Sequence, residues 1–390
     1  MNKSIIVVGL SAASMAFITK MRSFDQSSSI IAFSAEKDFP YNRCFLADFL
    51  TGKSDLSNIE LKPQDFFEKN NIVVHLNSRV DRIDSKQQQI FVGHKSYNYD
   101  NLFLGIGTRP LIPESLKNCK ADGLFTFHTL QDMQSILKFI KNRQPRAAVV
   151  IGAGLNGIEA ASSLYSQGIP VALIEAQDSI LPGQIDQKSG YWVENIVRRH
   201  GVMIIKNHKV IEVCHKNGLV HGVRLETHSK VRCDMVIIAA GSQLNSELLD
   251  HTDIQLQNGS IIVNENMQTS VPNILAGGDI CVVPDIISKQ LTRSTTWPDA
   301  MLQGLCAATT LSLNPRKYPG LIGLRNSHFF GKDFYACGVT NGQFDYLRQA
   351  CLQTDDALNV LFTQNEILKG FILIGDISSL SELKNIYLSK

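Results

Sequence analysis

Short runs of apolar residues alternate with longer mixed segments along most of the chain, in an order that is used twice. The first copy begins with the apolar run in KSIIVVG and continues as β-α-β to the segment Tyr97–Pro110. The second copy starts at Ala147 with the same order and ends with Cys233–Asn245. Each copy closes with an apolar strand that is followed by Gly and a small polar residue, so we interpret the two as an internal duplication. Strands that alternate with helices predict parallel sheets with helices on both faces.

The second copy opens with a glycine pattern that is typical of dinucleotide binding. The apolar run Ala147–Ile151 is followed by Gly152-x-Gly154-x-x-Gly157 and then by a helix of small residues. We expect Gly152 to allow the sharp turn, Gly154 to let the backbone approach phosphate groups, and Gly157 to let helix and strand pack closely. The helix N-terminus then faces the negative charge of a pyrophosphate. The alternative is an ordinary turn between a strand and a helix.

An acid follows the next strand at the expected distance. The run VALIE ends in Glu175, where a carboxylate can accept hydrogen bonds from the ribose of adenosine. A 2′-phosphate next to this carboxylate would be repelled and would need an arginine instead. The sequence therefore predicts an NAD site with a preference for NADH.

The first copy carries a degraded form of the same pattern. The run KSIIVV is followed by Gly9, Ser11 and Ser14 at the places of three glycines, and the run IIAFSAE ends at Glu36. These residues predict a second nucleotide site. The alternative is a signal peptide, because Lys3 precedes an apolar stretch and small residues follow it. The basic residues after that stretch and the second strand favour a folded unit.

Composition excludes several classes of protein. A chain of 390 residues is long enough for two or three domains, each with its own core. Hydrophobic residues make up 44% and charged residues 19%, which excludes disorder, and no apolar run is long enough to span a bilayer. The net charge is +2 with both signs interspersed, so we expect no nucleic-acid or membrane partner.

The eight cysteines are scattered through the chain, and no two of them form CxxC or CxxxxC. This pattern favours reduced thiols and a cytoplasmic location, and it lacks the close dithiol of thioredoxin-type or glutathione-type reductases. Cysteines and histidines show no zinc or iron-sulfur spacing, so we predict no metal site.

The two copies together resemble the two-dinucleotide-binding-domain flavoproteins of the pyridine nucleotide-disulfide oxidoreductase superfamily. The segment MQTSVPNILAGGDI (267–280) is similar to the second FAD motif of that family, in which Asp279 would bind the ribityl chain. The segment TTWPDAMLQG (295–304), with Trp297, is similar to the part that closes over the flavin ring, and NEILKGFILIGD (365–376) resembles a strand pair of an interface domain.

The resemblance implies an α/β protein with two Rossmann-like domains, one for FAD and one for NAD, and a small α+β C-terminal interface domain. Its boundaries would be 1–112 with 242–315 for the discontinuous FAD domain, 113–241 for the NAD(P)H domain, and 316–390 for the interface domain. The cofactors would be FAD and NADH, and the protein would be a monomer or a homodimer. Arg43 and the two glycines that close the copies, Gly107 and Gly241, would join the cofactor-binding residues.

Within the superfamily, the loop PYNRCFLADFLTGK (40–53) and the turn ILPGQID (180–186) resemble the NADH-rubredoxin reductases and the flavin domain of NAD(P)H nitrite reductases. The chain departs from this pattern at the serines of the first turn, at Cys44 and at Asp48. Asp48 stands near a place where some relatives carry a lysine that pairs with a glutamate. The last two departures concern the chemistry of the acceptor.

The resemblance implies an FAD-dependent NAD(P)H oxidoreductase that passes hydride from NADH to FAD and electrons on to a small rubredoxin-like iron protein. Glu159 would point toward the nicotinamide as an acid near the flavin, with Lys53 as a candidate partner. The alternative is a glutamate on a helix surface.

Three alternatives remain open. Cys44 would be a redox thiol if the protein were a single-cysteine coenzyme A disulfide reductase or an NADH oxidase. We favour a small buried thiol at a proline position, because the SFxxC frame of those branches is absent. The other two alternatives are a flavoprotein that binds nucleotides without turnover and an NAD-dependent dehydrogenase, which would need a His or Lys base in a separate domain.

Overall fold

The computed structural model describes residues 3–287, 289–293, 295–341 and 346–388. The chain forms two compact units, and it passes between them several times. The segments Thr108–Pro110 and Ser242–Leu244, where two of these passages occur, pair as a two-stranded sheet. The first unit comprises Met1–Asn42, Leu56–Arg109 and Gln243–Gly323, and the second comprises Arg43–Asp55, Pro110–Ser242 and Leu324–Lys390.

A five-stranded parallel sheet forms the centre of the first unit. Ser4–Val8 is its middle strand, and Ile5 to Val8 are buried because helices cover the sheet. Ser4 pairs with Ser29 on one side, and Ile5 pairs with Asn101 on the other. The strands in spatial order are Ile274–Ala276, Asn101–Leu104, Ser4–Val8, Ser29–Phe33 and Ile72–His75.

Two helices of the first unit pack against each other at unusually short range. A Cβ atom on Gly304, in helix Trp297–Thr310, would lie 1.9 Å from the carbonyl oxygen of Ala13, in helix Ala12–Arg22. A glycine is therefore required at this contact. Shorter helices are Leu56–Ile59 and Gln64–Lys69, with a 3₁₀ turn at Ser246–Leu249.

Two smaller sheets complete the first unit. One is an antiparallel meander of three strands, and the other has four strands in mixed directions. The meander consists of Arg82–Asp84, Gln89–Val92 and Lys95–Asn98, and the four-stranded sheet of Leu256–Gln257, Ser260–Ile262, Cys281–Pro284 and Leu291–Arg293.

The second unit contains a parallel five-stranded sheet built on the same plan. Its middle strand, Ala148–Ile151, again lies between the next strand in sequence and the strand that closes the copy. The strands in spatial order are Leu124–Thr126, Met235–Ile238, Ala148–Ile151, Val171–Ile174 and Met203–Ile205. The predicted fold class, with two Rossmann-like sheets, is confirmed.

The helices of the second unit begin at recognisable caps. Thr129 and Asp132 form a reciprocal capping box at the start of helix Leu130–Arg143, and the Asp186 carboxylate caps helix Gln187–Arg199. Further helices are Leu46–Thr51 and Leu155–Ser166, and 3₁₀ turns lie at Arg43–Phe45 and Glu114–Leu116. A separate antiparallel sheet consists of Val210–Lys216, Leu219–Leu225 and Lys230–Val231.

An antiparallel sheet and one helix, Leu380–Leu388, form the C-terminal part of the second unit. The segment NEILKGFILIGD contains one strand, Ile367–Ile374, and not the expected pair, because its antiparallel partner Leu358–Gln364 ends just before the segment. The strands in spatial order are Arg325–Phe329, Lys332–Gly338, Ile367–Ile374, Leu358–Gln364 and Leu347–Gln353.

Within the described ranges, no helix is long and apolar enough to cross a membrane, and no cluster of His, Cys, Asp and Glu could hold a metal ion. All eight cysteines lie in these ranges, and none of them forms a disulfide bond there.

Candidate dinucleotide-binding site

The first strand of the first unit ends in a turn that requires glycine. Gly9 has a φ of +87°, and a Cβ atom there would lie 2.2 Å from the carbonyl oxygen of Gly105. Ser11 follows in extended conformation as the residue before helix Ala12–Arg22. The turn therefore leads directly into a helix N-terminus, which suits a pyrophosphate.

Ser14 replaces the third glycine of the pattern, and the structure explains how it fits. Its side chain is buried, and a Cβ atom on Gly105 would lie only 2.2 Å from its Oγ atom. In the second unit the sizes are exchanged, because Gly157 on the helix faces the methyl group of Ala239. The absence of a side chain at residue 105 thus makes room for the serine.

Glu36 lies just past the end of strand Ser29–Phe33, at the carboxyl edge of the first sheet. Its carboxylate is half-buried, and the Tyr41 hydroxyl donates a hydrogen bond of 2.6 Å to Oε2. Ligands of open α/β sheets bind beyond the carboxyl ends of the strands, so Glu36 lies at the edge where such ligands bind.

The segment around Asp279 lies at the same edge of the first sheet. Strand Ile274–Ala276 ends there, and Gly278 follows with a φ of +86° and donates its N–H to Gln303 Oε1 at 2.7 Å. A side chain on Gly277 would press against Phe103 and Gln303. The two glycines therefore hold the backbone of Asp279 close to helix Trp297–Thr310.

Two other predicted residues flank this edge. Gly107 has a φ of +54°, so glycine is favoured there for conformation alone, since a Cβ atom would meet open space among the described residues. Trp297 is the first residue of its helix and packs partly buried against the core of the first unit. Thr296 caps that helix by accepting a hydrogen bond from the N–H of Asp299.

The turn of the second unit has the full glycine set. Gly152 has a φ of +102°, and a Cβ atom there would lie 2.4 Å from the carbonyl oxygen of Ala239. A Cβ atom on Gly157 would lie 1.9 Å from the carbonyl oxygen of Gly152, and Gly154 caps helix Leu155–Ser166. Two of the three glycines are thus required by direct backbone contact.

Glu175 is buried directly after strand Val171–Ile174 and points back at this turn. Its Oε2 accepts the N–H of Ala153 at 2.7 Å, and its Oε1 accepts the N–H of Gln177 at 2.9 Å. A carboxylate oxygen can accept more than one hydrogen bond, so both atoms can also accept hydroxyl groups of a ribose.

The loop that contains ILPGQID closes over the same turn. Leu181 donates its N–H to the carbonyl oxygen of Ala153 at 2.8 Å, and the Gln184 amide lies 3.4 Å from the Cβ position of Gly154. Arg325 and Thr340 both donate to the Gln184 carbonyl oxygen, at 3.2 and 2.6 Å. Gln184 is a neighbour of the phosphate turn that the motif contained but that sequence reasoning did not single out.

Glu159 occupies the beginning of helix Leu155–Ser166, and its carboxyl group has a specific partner. Ser327 Oγ donates a hydrogen bond of 2.5 Å to Glu159 Oε1. Burial raises the pKa of Glu159 to about 7, the Ser327 hydrogen bond opposes this shift, and the negative charge of Asp48 adds to it. Lys53, the expected partner, is exposed, and the described hydrogen bond comes from Ser327 instead.

Cys44 is exposed, so the expectation of a small buried thiol is wrong. Protein atoms around its sulfur still desolvate it, and this desolvation together with the Glu159 carboxylate raises the pKa of Cys44 to about 11. A thiol with this pKa is a poor nucleophile at neutral pH. The preceding residue, Arg43, donates from Nη1 to the carbonyl oxygen of His128 at 2.7 Å.

Gly241, which closes the second copy, has a φ of +118°. It accepts the N–H of Leu111 through its carbonyl oxygen at 3.0 Å. Within each unit, the structure brings the turn glycines, the acid after the second strand and the closing glycine toward one edge of a sheet. Ser327 and Gly105 were missed, because their roles depend on contacts between distant segments that no short motif encodes.

The sequence from residue 3 to residue 304 matches the family described as pyridine nucleotide-disulphide oxidoreductase, so the chain belongs to this family. It is an NAD(P)H-dependent flavin oxidoreductase, and its cofactors are FAD and a nicotinamide dinucleotide.

Proteins with similar sequences are named for different electron acceptors. An NADH oxidase of Methanocaldococcus jannaschii is 29% identical over 81% of this chain and 72% of its own length. The rubredoxin-NAD(+) reductase of Pseudomonas putida is 27% identical over 79% of this chain and 80% of its own. A nitrite reductase [NAD(P)H] of Bacillus subtilis is 26% identical over 97% of this chain, but the match spans only 46% of that longer protein.

Among solved structures, a covalent putidaredoxin reductase-putidaredoxin complex matches with a TM-score of 0.92, 22% identity and coverage of 100% of this chain and 93% of the other. At this identity the likeness supports the fold.

The exchange of sizes between Ser14 and Gly105 leads to a reciprocal test. Gly105→Ala should lower the free energy of unfolding by about 1–3 kcal/mol, because the new methyl group forces buried Ser14 out of its rotamer. The double variant Ser14→Gly/Gly105→Ala, which copies the pair Gly157 and Ala239, should recover much of this loss and of the bound FAD. Denaturant unfolding and the flavin-to-protein absorbance ratio measure both effects. Strictly additive changes would show that the two residues do not share one space.

Proposed function

We propose that this protein oxidises NADH in its second unit, transfers the hydride to FAD held by its first unit, and passes the electrons to a small rubredoxin-like iron protein. The main support is the pair of matching turns, each with an acid after the second strand of its sheet. Bound FAD accepts a hydride and releases electrons singly or in pairs, which can link a two-electron donor to a one-electron acceptor.

The first unit has the features that FAD needs. In our proposal the pyrophosphate binds at the turn of Gly9 and Ser11, before the N-terminus of helix Ala12–Arg22, and Glu36, which accepts a hydrogen bond from Tyr41, binds the ribose. In our proposal the Asp279 carboxylate accepts hydrogen bonds from the ribityl hydroxyls. In our proposal the FAD-binding domain comprises residues 1–112 and 242–315, and its cofactor-binding residues are Gly9, Ser11, Ser14, Glu36, Arg43, Gly107, Asp279 and Trp297. Of these residues, Arg43 belongs to the second compact unit.

The second unit would bind NADH through Gly152, Gly154, Gly157, Glu175 and Gly241, within residues 113–241. Glu175 is buried, and its two carboxylate oxygens accept backbone N–H groups. These hydrogen bonds hold the carboxylate in place at the turn. A 2′-phosphate at this place would be repelled by the carboxylate. The next two residues, Ala176 and Gln177, are uncharged and could not offset that repulsion. The charge of Glu175 supports a preference for NADH.

Glu159 is the acid that we assign to the nicotinamide end of this site. Since its pKa is raised to about 7, the carboxyl group is partly protonated at neutral pH and can both give and take a proton. The protein's own contribution would be to orient the dinucleotides, exclude water and hold this proton.

The acceptor assignment rests on the thiol and on the relatives. A disulfide reductase needs a thiolate with a lowered pKa, whereas the pKa of Cys44 is raised. The similarity to a rubredoxin-NAD(+) reductase supports a small iron protein as partner. The second candidate is an NADH oxidase, favoured by the similarity to the enzyme of that name.

Asp279→Ala should weaken FAD binding at least tenfold, because several hydroxyl groups would lose a charged acceptor. The affinity can be measured by titrating flavin-free protein with FAD and following flavin fluorescence. Asp253→Ala, which removes an exposed carboxylate elsewhere in the same unit, is the matched control. Full flavin occupancy of Asp279→Ala at low FAD concentration would contradict the assignment of Asp279 to the FAD site.

The native protein should use NADH with a kcat/KM at least tenfold above that for NADPH. Ala176→Arg, which places a cation next to Glu175 on an exposed position, should raise the NADPH-to-NADH ratio about tenfold, and Ala176→Gln serves as the control for size. Equal kcat/KM values for both nucleotides in the native protein would show that Glu175 does not contact the ribose.

Stopped-flow mixing of NADH-reduced protein with rubredoxin, coenzyme A disulfide and oxygen tests the acceptor. Rubredoxin should be reduced well above the rate given by free reduced flavin, and Cys44→Ser should slow its turnover less than tenfold. Rapid disulfide turnover that disappears in Cys44→Ser would establish the thiol mechanism, and rapid oxygen consumption would establish the oxidase.

A further inference from the structure

The helix that follows the NADH turn is attached to the C-terminal sheet at two points within the second unit. Ser327 Oγ, on strand Arg325–Phe329, donates to Glu159 Oε1 at 2.5 Å. Three residues further along each segment, the N–H of Phe330 donates to Ser162 Oγ at 2.7 Å. Both Ser327 and Phe330 are buried, so the two hydrogen bonds fix the helix against the strand with little competition from water.

The groups around Glu159 come from three segments. Its own helix offers Ser163, whose hydroxyl donates to the backbone carbonyl oxygen of Glu159 rather than to its carboxyl group. The strand offers Ser327, and the segment Arg43–Asp55 offers the Asp48 carboxylate and the Cys44 thiol. Among the described groups, the charge that acts on Glu159 is thus the negative charge of Asp48. A neutral donor must then orient the acid.

We propose that Ser327 is a positioning residue that holds the Glu159 carboxyl group by its Oε1 atom and leaves Oε2 for proton exchange. The inference rests on the proposed role of Glu159 at the nicotinamide. In a protonated carboxyl group the carbonyl oxygen is a better hydrogen-bond acceptor than the hydroxyl oxygen, so the bond from Ser327 to Oε1 favours the proton on Oε2. The residue lies far from both nucleotide motifs in sequence, in the part of the chain where only an interface domain was expected.

The direction of the effect follows from the chemistry of the bond. A hydroxyl that donates to a carboxylate stabilises its charged form, so loss of the Ser327 hydroxyl should move the titration of Glu159 to higher pH. One lost hydrogen bond corresponds to an upward shift of about half to one pH unit. Ser327→Thr keeps a hydroxyl on the same backbone and should restore much of the native midpoint.

Cys44 provides a reporter of the Glu159 charge that does not depend on turnover. Its thiol is exposed, and ionised Glu159 raises its pKa, so the pH profile of Cys44 alkylation contains an inflection where Glu159 titrates. The FAD-loaded protein, without NADH, would be pulsed with iodoacetamide between pH 5 and pH 10, and alkylation at Cys44 quantified by peptide mass spectrometry. The infrared band of the protonated Glu159 carboxyl, assigned by its loss in Glu159→Gln, gives the same midpoint without the thiol.

We expect Ser327→Ala to raise the midpoint, Ser327→Thr to restore it and Glu159→Gln to abolish the inflection. Ser162→Ala is the matched control, because it removes the other hydrogen bond between the same helix and strand and should leave the midpoint unchanged. An unchanged midpoint in Ser327→Ala, or an equal shift in Ser162→Ala, would overturn the proposal.

The pH profile of flavin reduction by NADH separates this inference from the proposed function. If both hold, the profile shifts together with the Glu159 midpoint in Ser327→Ala. If Glu159 has no part in the reaction, the alkylation and infrared midpoints still shift, while flavin reduction keeps its native profile.

Discussion

The close approach of the first strand's turn to the last strand of each copy is the constraint on which both nucleotide sites depend. Gly9 touches the carbonyl of Gly105, and Gly152 touches the carbonyl of Ala239. Because these contacts are between backbone atoms, no side-chain rearrangement could relieve a Cβ atom at either glycine. The helix, the acid after the second strand and the closing loop are all arranged around this contact.

The same constraint shows how one architecture accepts two different sequences. A turn with three glycines and a turn with one glycine and two serines appear unequal when the motifs are compared residue by residue. The space is nevertheless conserved between the units, since Ser14 and Gly105 exchange the sizes of Gly157 and Ala239. The volume at the helix–strand contact, and not the identity of one residue, is what the fold fixes.

The sequence predicted the two parallel sheets well, because alternating apolar runs and turn glycines are local signals. It also predicted that Glu36 and Glu175 follow the second strand of each sheet, since that offset is set by strand length. Ser327, 168 residues beyond Glu159, could not be predicted, because nothing local marks a serine on a sheet strand as the partner of an acid. The exposure of Cys44 was missed for a similar reason, since solvent access depends on the packing of the whole loop.

The order in which the chain visits its two units has a consequence for synthesis and folding. Strand Asn101–Leu104 pairs with Ile274–Ala276, so one edge of the first sheet lacks its neighbour until most of the chain has been made. During that interval the apolar strand presents unpaired backbone groups, which is the kind of edge that promotes association between chains. Closing this long loop costs more conformational entropy than forming the local β-α-β contacts, so the pairing is also slower. Nascent chains would therefore be most vulnerable to aggregation after the second unit's central sheet has been synthesised and before the last strand of the first sheet arrives.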